Sequence, residues 1–309
     1  MNFFKIIDQL AAVDSDVLGR FDSRRAVFNS LGSAAKRTAL ATSPLFVGAL
    51  FQKAYAGTKA LPAEVLNYAL TLELLEADFY RQFIASGTIP AGPARLAIDQ
   101  IKKHEDAHVA LLGGTNGAGG VIRSLGGTPV TGTATTGIRF KPLPAGTTYQ
   151  TYLINAQLLE DAGVRAYKGR APELVGTALL TTALQIHSVE ARHAARIRTM
   201  RGQLPWVNNA DDLKTHAVYG SGVTGPTSTT VSAGGTTFGI PAYDPAKPSA
   251  PESNVLQGAV GSAVAVNTAK GLGATPEYSE ADAAAAFDEY LQPAEVLDAS
   301  RAGGLALLS

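Results

Sequence analysis

IKKHEDAHVALL (residues 101–112) sets two histidines beside two acids inside an apolar-periodic run, and ALQIHSVEARHAARIR (183–198) carries a second pair of histidines. The chain has five histidines in 309 residues, so four of them fall in these two segments. In each, a glutamate stands three positions before a histidine: Glu105 before His108, Glu190 before His193. Residues three apart on a helix project from one face, about a turn apart. The stripe through Glu105 is otherwise Ile98, Ile101, Val109 and Leu112, and the stripe through Glu190 is Ala183, Ile186, Ala194 and Ile197. Both glutamates point where an aliphatic side chain belongs. A buried carboxylate without a partner is costly enough to take up a proton. A divalent cation shared with an imidazole is one way to compensate it.

The same anomaly occurs once on each of two further helical stretches. LPAEVLNYALTLELLEADFYRQFI (61–84) places Glu73 on the stripe Leu66, Ala69, Leu70, Ala77, Tyr80. A helix over 148–168 places Glu160 among Leu153, Ala156, Val164 and Tyr167. SGTIPAGP (86–93) turns the chain between the first helix and a second over 94–112, and GRAP (169–172) turns it between the third and a fourth that ends near Met200. GGTNGAGG (113–120) and the Gly/Thr/Pro-rich stretch after it make a long connection, 113–147, too rich in breakers for a helix. Two helical hairpins joined by one long crossover make the topology of a ferritin-like four-helix bundle. Four helices then offer Glu, Glu-x-x-His, Glu, Glu-x-x-His in that order.

One detail resists. GRAP follows Glu160 closely but precedes Glu190 by twice as far, which at 1.5 Å per residue leaves the two glutamates at different levels. A break near Gly176, with the last helix starting about Thr177, reduces that offset without removing it.

Composition narrows the chemistry. Twenty-six basic and 26 acidic residues leave no net charge, and aromatics are 7%, so neither a phosphate grip nor a base-stacking surface is indicated. There is no cysteine, which excludes disulfides, thiolate metal sites and cysteine nucleophiles. A metal must be held by carboxylate and imidazole, which suit iron, manganese or zinc. No segment has the roughly 20 uninterrupted apolar residues of a membrane span. GGTNGAGG lacks the lysine and hydroxyl of a phosphate loop and reads as a plain loop.

The chain divides into three parts. Residues 1–57 form an N-terminal arm or export signal: Ser23-Arg24-Arg25-Ala26-Val27-Phe28 resembles a twin-arginine motif, followed by the apolar run 38–51 and Ala54-Tyr55-Ala56. That places the protein in the periplasm or cell envelope, the alternative being a retained arm in the cytoplasm. Residues 58–204 form the bundle. Residues 205–309 are a Gly/Ser/Thr/Pro-rich extension with short strand pairs expected within 223–238, a helix from the capping box Ser279–Asp282 through Leu291, and another short one from Pro293.

The six residues Glu73, Glu105, His108, Glu160, Glu190 and His193 are similar to the di-iron carboxylate site of the ferritin-like superfamily. LTLELLEADFY, HEDAHVALL, LLEDAGVRAY and VEARHAARIR together resemble the bacterial and plant ferritin-like group labelled desiccation-related, over residues 60–202, as does AFDEYLQPAEVL near the C-terminus. The resemblance implies two iron (or manganese) ions, with Glu73 and Glu160 as terminal ligands, Glu105 and Glu190 bridging, and His108 and His193 each on one ion. It implies oxidation of Fe(II) by dioxygen or peroxide in stress protection, with Tyr80 and Tyr167 hydrogen-bonding across the pair. It leaves a homo-oligomer open. The competing reading keeps the bundle but makes it a structural or assembly protein with an empty site. Glu76 competes with Glu73 for the ligand position. Asp161 and His216 read as solvent-facing, and His104 and His187 as surface or loosely packed histidines, the alternative for His187, one turn before Glu190 on the same side, being an outer partner of the site.

Overall fold

The computed structural model describes residues 62–115, 118–208, 210–220, 229–244, 249–254, 256–257, 264–265 and 279–308. The export-like motif and the whole of the 1–57 arm lie outside the described residues.

Four long helices carry the interior. Helix α1 (Pro62–Ala85) turns through Gly87 and Gly92 into α2 (Pro93–Gly113). Pro93 opens α2 at the position where a missing N–H costs nothing. After the crossover come α4 (Tyr149–Arg170) and α5 (Leu179–Met200). Thr148 caps α4 by accepting from the Thr151 N–H at 3.2 Å. This is the mainly helical four-helix bundle that the periodicity predicts.

The break before the fourth helix is real and longer than expected. A 3-10 turn (Ala171–Leu174) follows α4, Gly176 takes φ +86°, and α5 begins only at Leu179. Glu160 thus lies ten residues before the end of α4 and Glu190 eleven after the start of α5. The expected residual offset disappears.

Burial is unequal among the four helices. Sixteen of the 24 residues of α1 and 15 of the 22 of α4 are buried, against five of 21 in α2. Helices α2 and α5 keep a solvent face, whereas α1 and α4 are covered on their outer sides too. The crossover covers α1. It contains a one-turn helix, α3 (Val121–Ser124), where none is predicted, and strand β1 (Arg139–Phe140), and it buries Ile122, Val130, Ile138 and Phe140. Asn67 pins it by donating to Thr128 O and accepting from Val130 N, both at 2.9 Å. Asp78 accepts from Phe140 N at 3.0 Å. Beside it packs the hairpin β2 (Thr230–Ala233) and β3 (Thr236–Gly239), whose Gly234-Gly235 turn needs positive φ at both positions.

The C-terminal extension covers α4. Beyond the short pair β4 (Leu256–Gln257) and β5 (Val264–Ala265), helix α6 (Glu280–Ala285) starts at the predicted capping box, with Ser279 and Asp282 exchanging bonds at 3.1 Å. It stops six residues short of Leu291. From Phe287 the chain runs extended along α4, where Leu291 N donates to Arg165 O and the Leu291 carbonyl lies against Gly169 so closely that any Cβ there would meet it at 2.1 Å. Those contacts outweigh local helix propensity. Helix α7 (Pro293–Val296) begins at Pro293 as predicted. After α8 (Ala302–Leu305), strand β6 (Ala306–Leu307) pairs antiparallel with β1, Phe140 opposite Ala306, so the chain's end closes on the crossover.

Candidate metal centre

At mid-height of the bundle the six predicted residues converge, all buried. They form two quartets. One is Glu73, Glu105, His108 and Glu190, the other Glu105, Glu160, Glu190 and His193, and within each the four donor atoms lie within 4.8 Å of one another. Glu105 and Glu190 belong to both. Glu73 rather than Glu76 enters a quartet, although Glu76, one turn on, is equally buried.

The hydrogen bonds around the quartets are incomplete in a specific way. His108 Nδ1 lies 3.0 Å from Glu73 Oε2, 3.2 Å from Glu190 Oε1 and 3.5 Å from Glu105 Oε2. His193 Nδ1 lies 2.9 Å from Glu105 Oε1 and 3.2 Å from Glu160 Oε2. A ring nitrogen has one proton to give. Each goes to the outer carboxylate, Glu73 or Glu160. All four oxygens of Glu105 and Glu190 are left buried with no directed hydrogen bond. Orphaned carboxylate oxygens at zero exposure are expensive. Each quartet offers three carboxylates and one imidazole, a donor set that fits a divalent cation, and such a cation would give these oxygens a partner.

Burial is also the first cause of the electrostatics. It pushes the Glu105 carboxyl up to about 7 and Glu190 up to about 8, helped by the charge of neighbouring carboxylates. Burial alone would lower the histidines. The carboxylates of Glu105, Glu190 and Glu73 beside it instead raise His108 to about 12, and those of Glu160 and Glu105 raise His193 to about 11. Without a metal, the cluster is thus held together by protons.

Two tyrosines orient the outer carboxylates. Tyr80 on α1 donates to Glu160 Oε1 on α4, and Tyr167 on α4 donates to Glu73 Oε1 on α1. These are the two tyrosines that the sequence reading sets beside the cluster; His104, read as a surface or loosely packed residue, also touches it. His104 Nδ1 bonds His193 Nε2 at 2.8 Å, and its own Nε2 bonds Gln100 at 2.7 Å. An outer partner on the far ring nitrogen fixes the tautomer and direction of a metal-binding histidine. One turn of α2 before His108, His104 carries no pattern of its own, so only the fold reveals what it touches. His187 is half-buried and bonds Val164 O at 3.1 Å, away from the cluster, and His216 caps a 3-10 turn by accepting from Val218 N. Asp161 is not solvent-facing. It is buried, paired with Arg198 at 2.5 Å and bonded to the Tyr219 hydroxyl at 2.6 Å, because the extension covers that side of α4.

The family model for the ferritin-like domain matches residues 62–203. Residues 62–203 are a ferritin-like domain. No curated protein matches the chain. The matched span starts with α1 and ends just after α5, so the ferritin-like domain contains all of both quartets and excludes the extension. Among the described residues no helix is long and apolar enough to cross a membrane. The buried carboxylates and histidines are of a kind and number that can bind metal ions.

Proposed function

We propose that the bundle holds two metal ions, iron or manganese, as a carboxylate-bridged pair, and that the protein oxidises Fe(II) or removes dioxygen or peroxide in stress protection. The observation that carries this reading is the sharing of Glu105 and Glu190 between two quartets while none of their four oxygens has a directed hydrogen bond. Glu73 and Glu160 are then terminal ligands, Glu105 and Glu190 bridge, and His108 and His193 each serve one ion. Four carboxylates carry the charge that two divalent cations neutralise. Iron and manganese suit such oxygen and imidazole donors, and when bound they supply electron transfer to dioxygen or peroxide.

The rest is the work of the chain. Tyr80 and Tyr167 hold Glu160 and Glu73 in their rotamers from opposite helices. His104 fixes the His193 ring. The covering of α1 and α4 by crossover and extension shields the cluster from water. The motifs shared with the desiccation-related group support a protective role, and the twin-arginine-like segment at 23–28 supports export to the envelope.

Fe(II) added to metal-free protein under an oxygen electrode tests the activity. The expected result is two irons per chain with oxygen uptake above the buffer rate, both abolished in Glu105→Ala and Glu190→Ala. Iron bound with uptake at the buffer rate would make the protein a passive binder. No bound iron would leave the bundle a scaffold for assembly through its arm and extension.

A further inference from the structure

The centre has an internal two-fold relation, and beside the cluster the sequence departs from it at Glu76 and Gly163. Glu73 and Tyr80 on α1 correspond to Glu160 and Tyr167 on α4, and the two tyrosines reach reciprocally across to the two glutamates. By the same correspondence Glu76 answers to Gly163. One helix carries a buried carboxylate where its twin carries no side chain.

The two facts fit together in space. A Cβ built on Gly163 would stand 3.2 Å from Glu76 Oε1 and 3.4 Å from Glu190 Oε2. The glycine therefore leaves a gap in α4 onto which both carboxylates open. Glu190 Oε2 is one of the orphaned buried oxygens of the shared bridge. Glu76 is itself buried, and the groups that act on it most strongly, after burial, are Glu190, Glu105, Glu160 and Glu73, all acids. Gly163 has negative φ in mid-helix, where glycine costs about 1 kcal/mol relative to alanine, so no backbone requirement explains it. The space does.

We propose that Glu76 is a further metal-binding carboxylate, which enters the centre through the gap at Gly163 beside Glu190 and makes the two metal positions inequivalent. This rests on the two-metal reading above. Glu76 stands outside both quartets as they are placed, so its part begins when an ion draws its carboxylate toward Glu190. A pair of ions with a fifth carboxylate on one side is loaded in two distinct steps rather than two equal ones.

Anaerobic calorimetric titration of the full chain with Co²⁺, paired with melting curves with and without Co²⁺, tests the assignment independently of any turnover. Wild type is expected to bind two Co²⁺ in two separable steps. Glu76→Gln, which keeps the shape and removes the charge, should still bind two, one of them at least about ten-fold more weakly, equivalent to about 1.4 kcal/mol. Its metal-free form should melt higher than wild type and gain less on adding Co²⁺. Gly163→Ala, which narrows the gap, should weaken the same step. It carries the test if the glutamine variant does not fold. Wild type binding two ions with both variants indistinguishable from it overturns this inference alone. Wild type binding none overturns the two-metal reading and this inference with it.

Discussion

His108 Nδ1 faces three carboxylates with one proton, and that arithmetic governs how the centre behaves without metal. Four groups there hold protons that the unfolded chain would release. Glu105 and Glu190 are raised from 4.5 to about 7 and about 8, and His108 and His193 from 6.5 to about 12 and about 11. A group whose pKa is raised by folding binds more protons folded than unfolded, so its contribution to stability declines as pH climbs from its unfolded to its folded value. All four have the same sign. The two acids act over 4.5 to 8, and the imidazole contributions, complete below 6.5, are lost progressively up to about 12. Metal-free protein should therefore melt at progressively lower temperature as pH is raised from about 5 to about 9. A saturating divalent cation, taking the place of the protons, should flatten that slope. A metal-free melting temperature that climbs over the same range would contradict this assignment. At this scale the sequence was informative wherever a polar residue interrupted an apolar stripe, as at Glu73, Glu105, Glu160 and Glu190. It was silent on His104, whose partner lies 89 positions away, and it misplaced Asp161 for want of any sign that α4 is covered twice.

Arg165 shows what an element needs in order to be covered. It is 1% exposed, sits in mid-α4, and donates to Glu289 O at 2.9 Å, to Ala250 O at 2.6 Å and to Val218 O, while pairing with Glu252 at 2.9 Å. One guanidinium thus ties three separate stretches of the extension to one helix, a use that suits its rigid fork of donors. Replacing it leaves Glu252 buried without its cation, a kind of loss that costs about 3–5 kcal/mol. Arg165→Met should lower the melting temperature and make the chain beyond Trp206 the first target in limited proteolysis. A variant as protease-resistant as wild type would show that the extension is held by other contacts. The long helices were legible because their period extends over many turns. The helix expected through Leu291 was not, because Arg165 and Gly169 recruit residues 289–291 as an extended strap that no local pattern announces. The one-turn helix at Val121–Ser124 hid among glycines for the same reason.

For the molecule as a whole, the ferritin-like domain is built from two helical hairpins around one centre, with two of its four helices wrapped by chain from outside the hairpins. The wrapping explains why α1 and α4 are buried nearly all round while α2 and α5 keep a solvent face. It also sets aside the solvent that would otherwise neutralise buried carboxylates on α1 and α4. What remains to balance them is protons or metal. The quartets, sharing Glu105 and Glu190, offer two adjacent positions. Anomalous diffraction at the manganese or iron edge, from crystals grown with that metal, measures this directly. The account predicts two peaks inside the bundle, about 3.5–4 Å apart as in other two-metal sites, one between Glu73 and His108 and one between Glu160 and His193. A bundle interior without anomalous density, or metal found only at the protein surface, would contradict it.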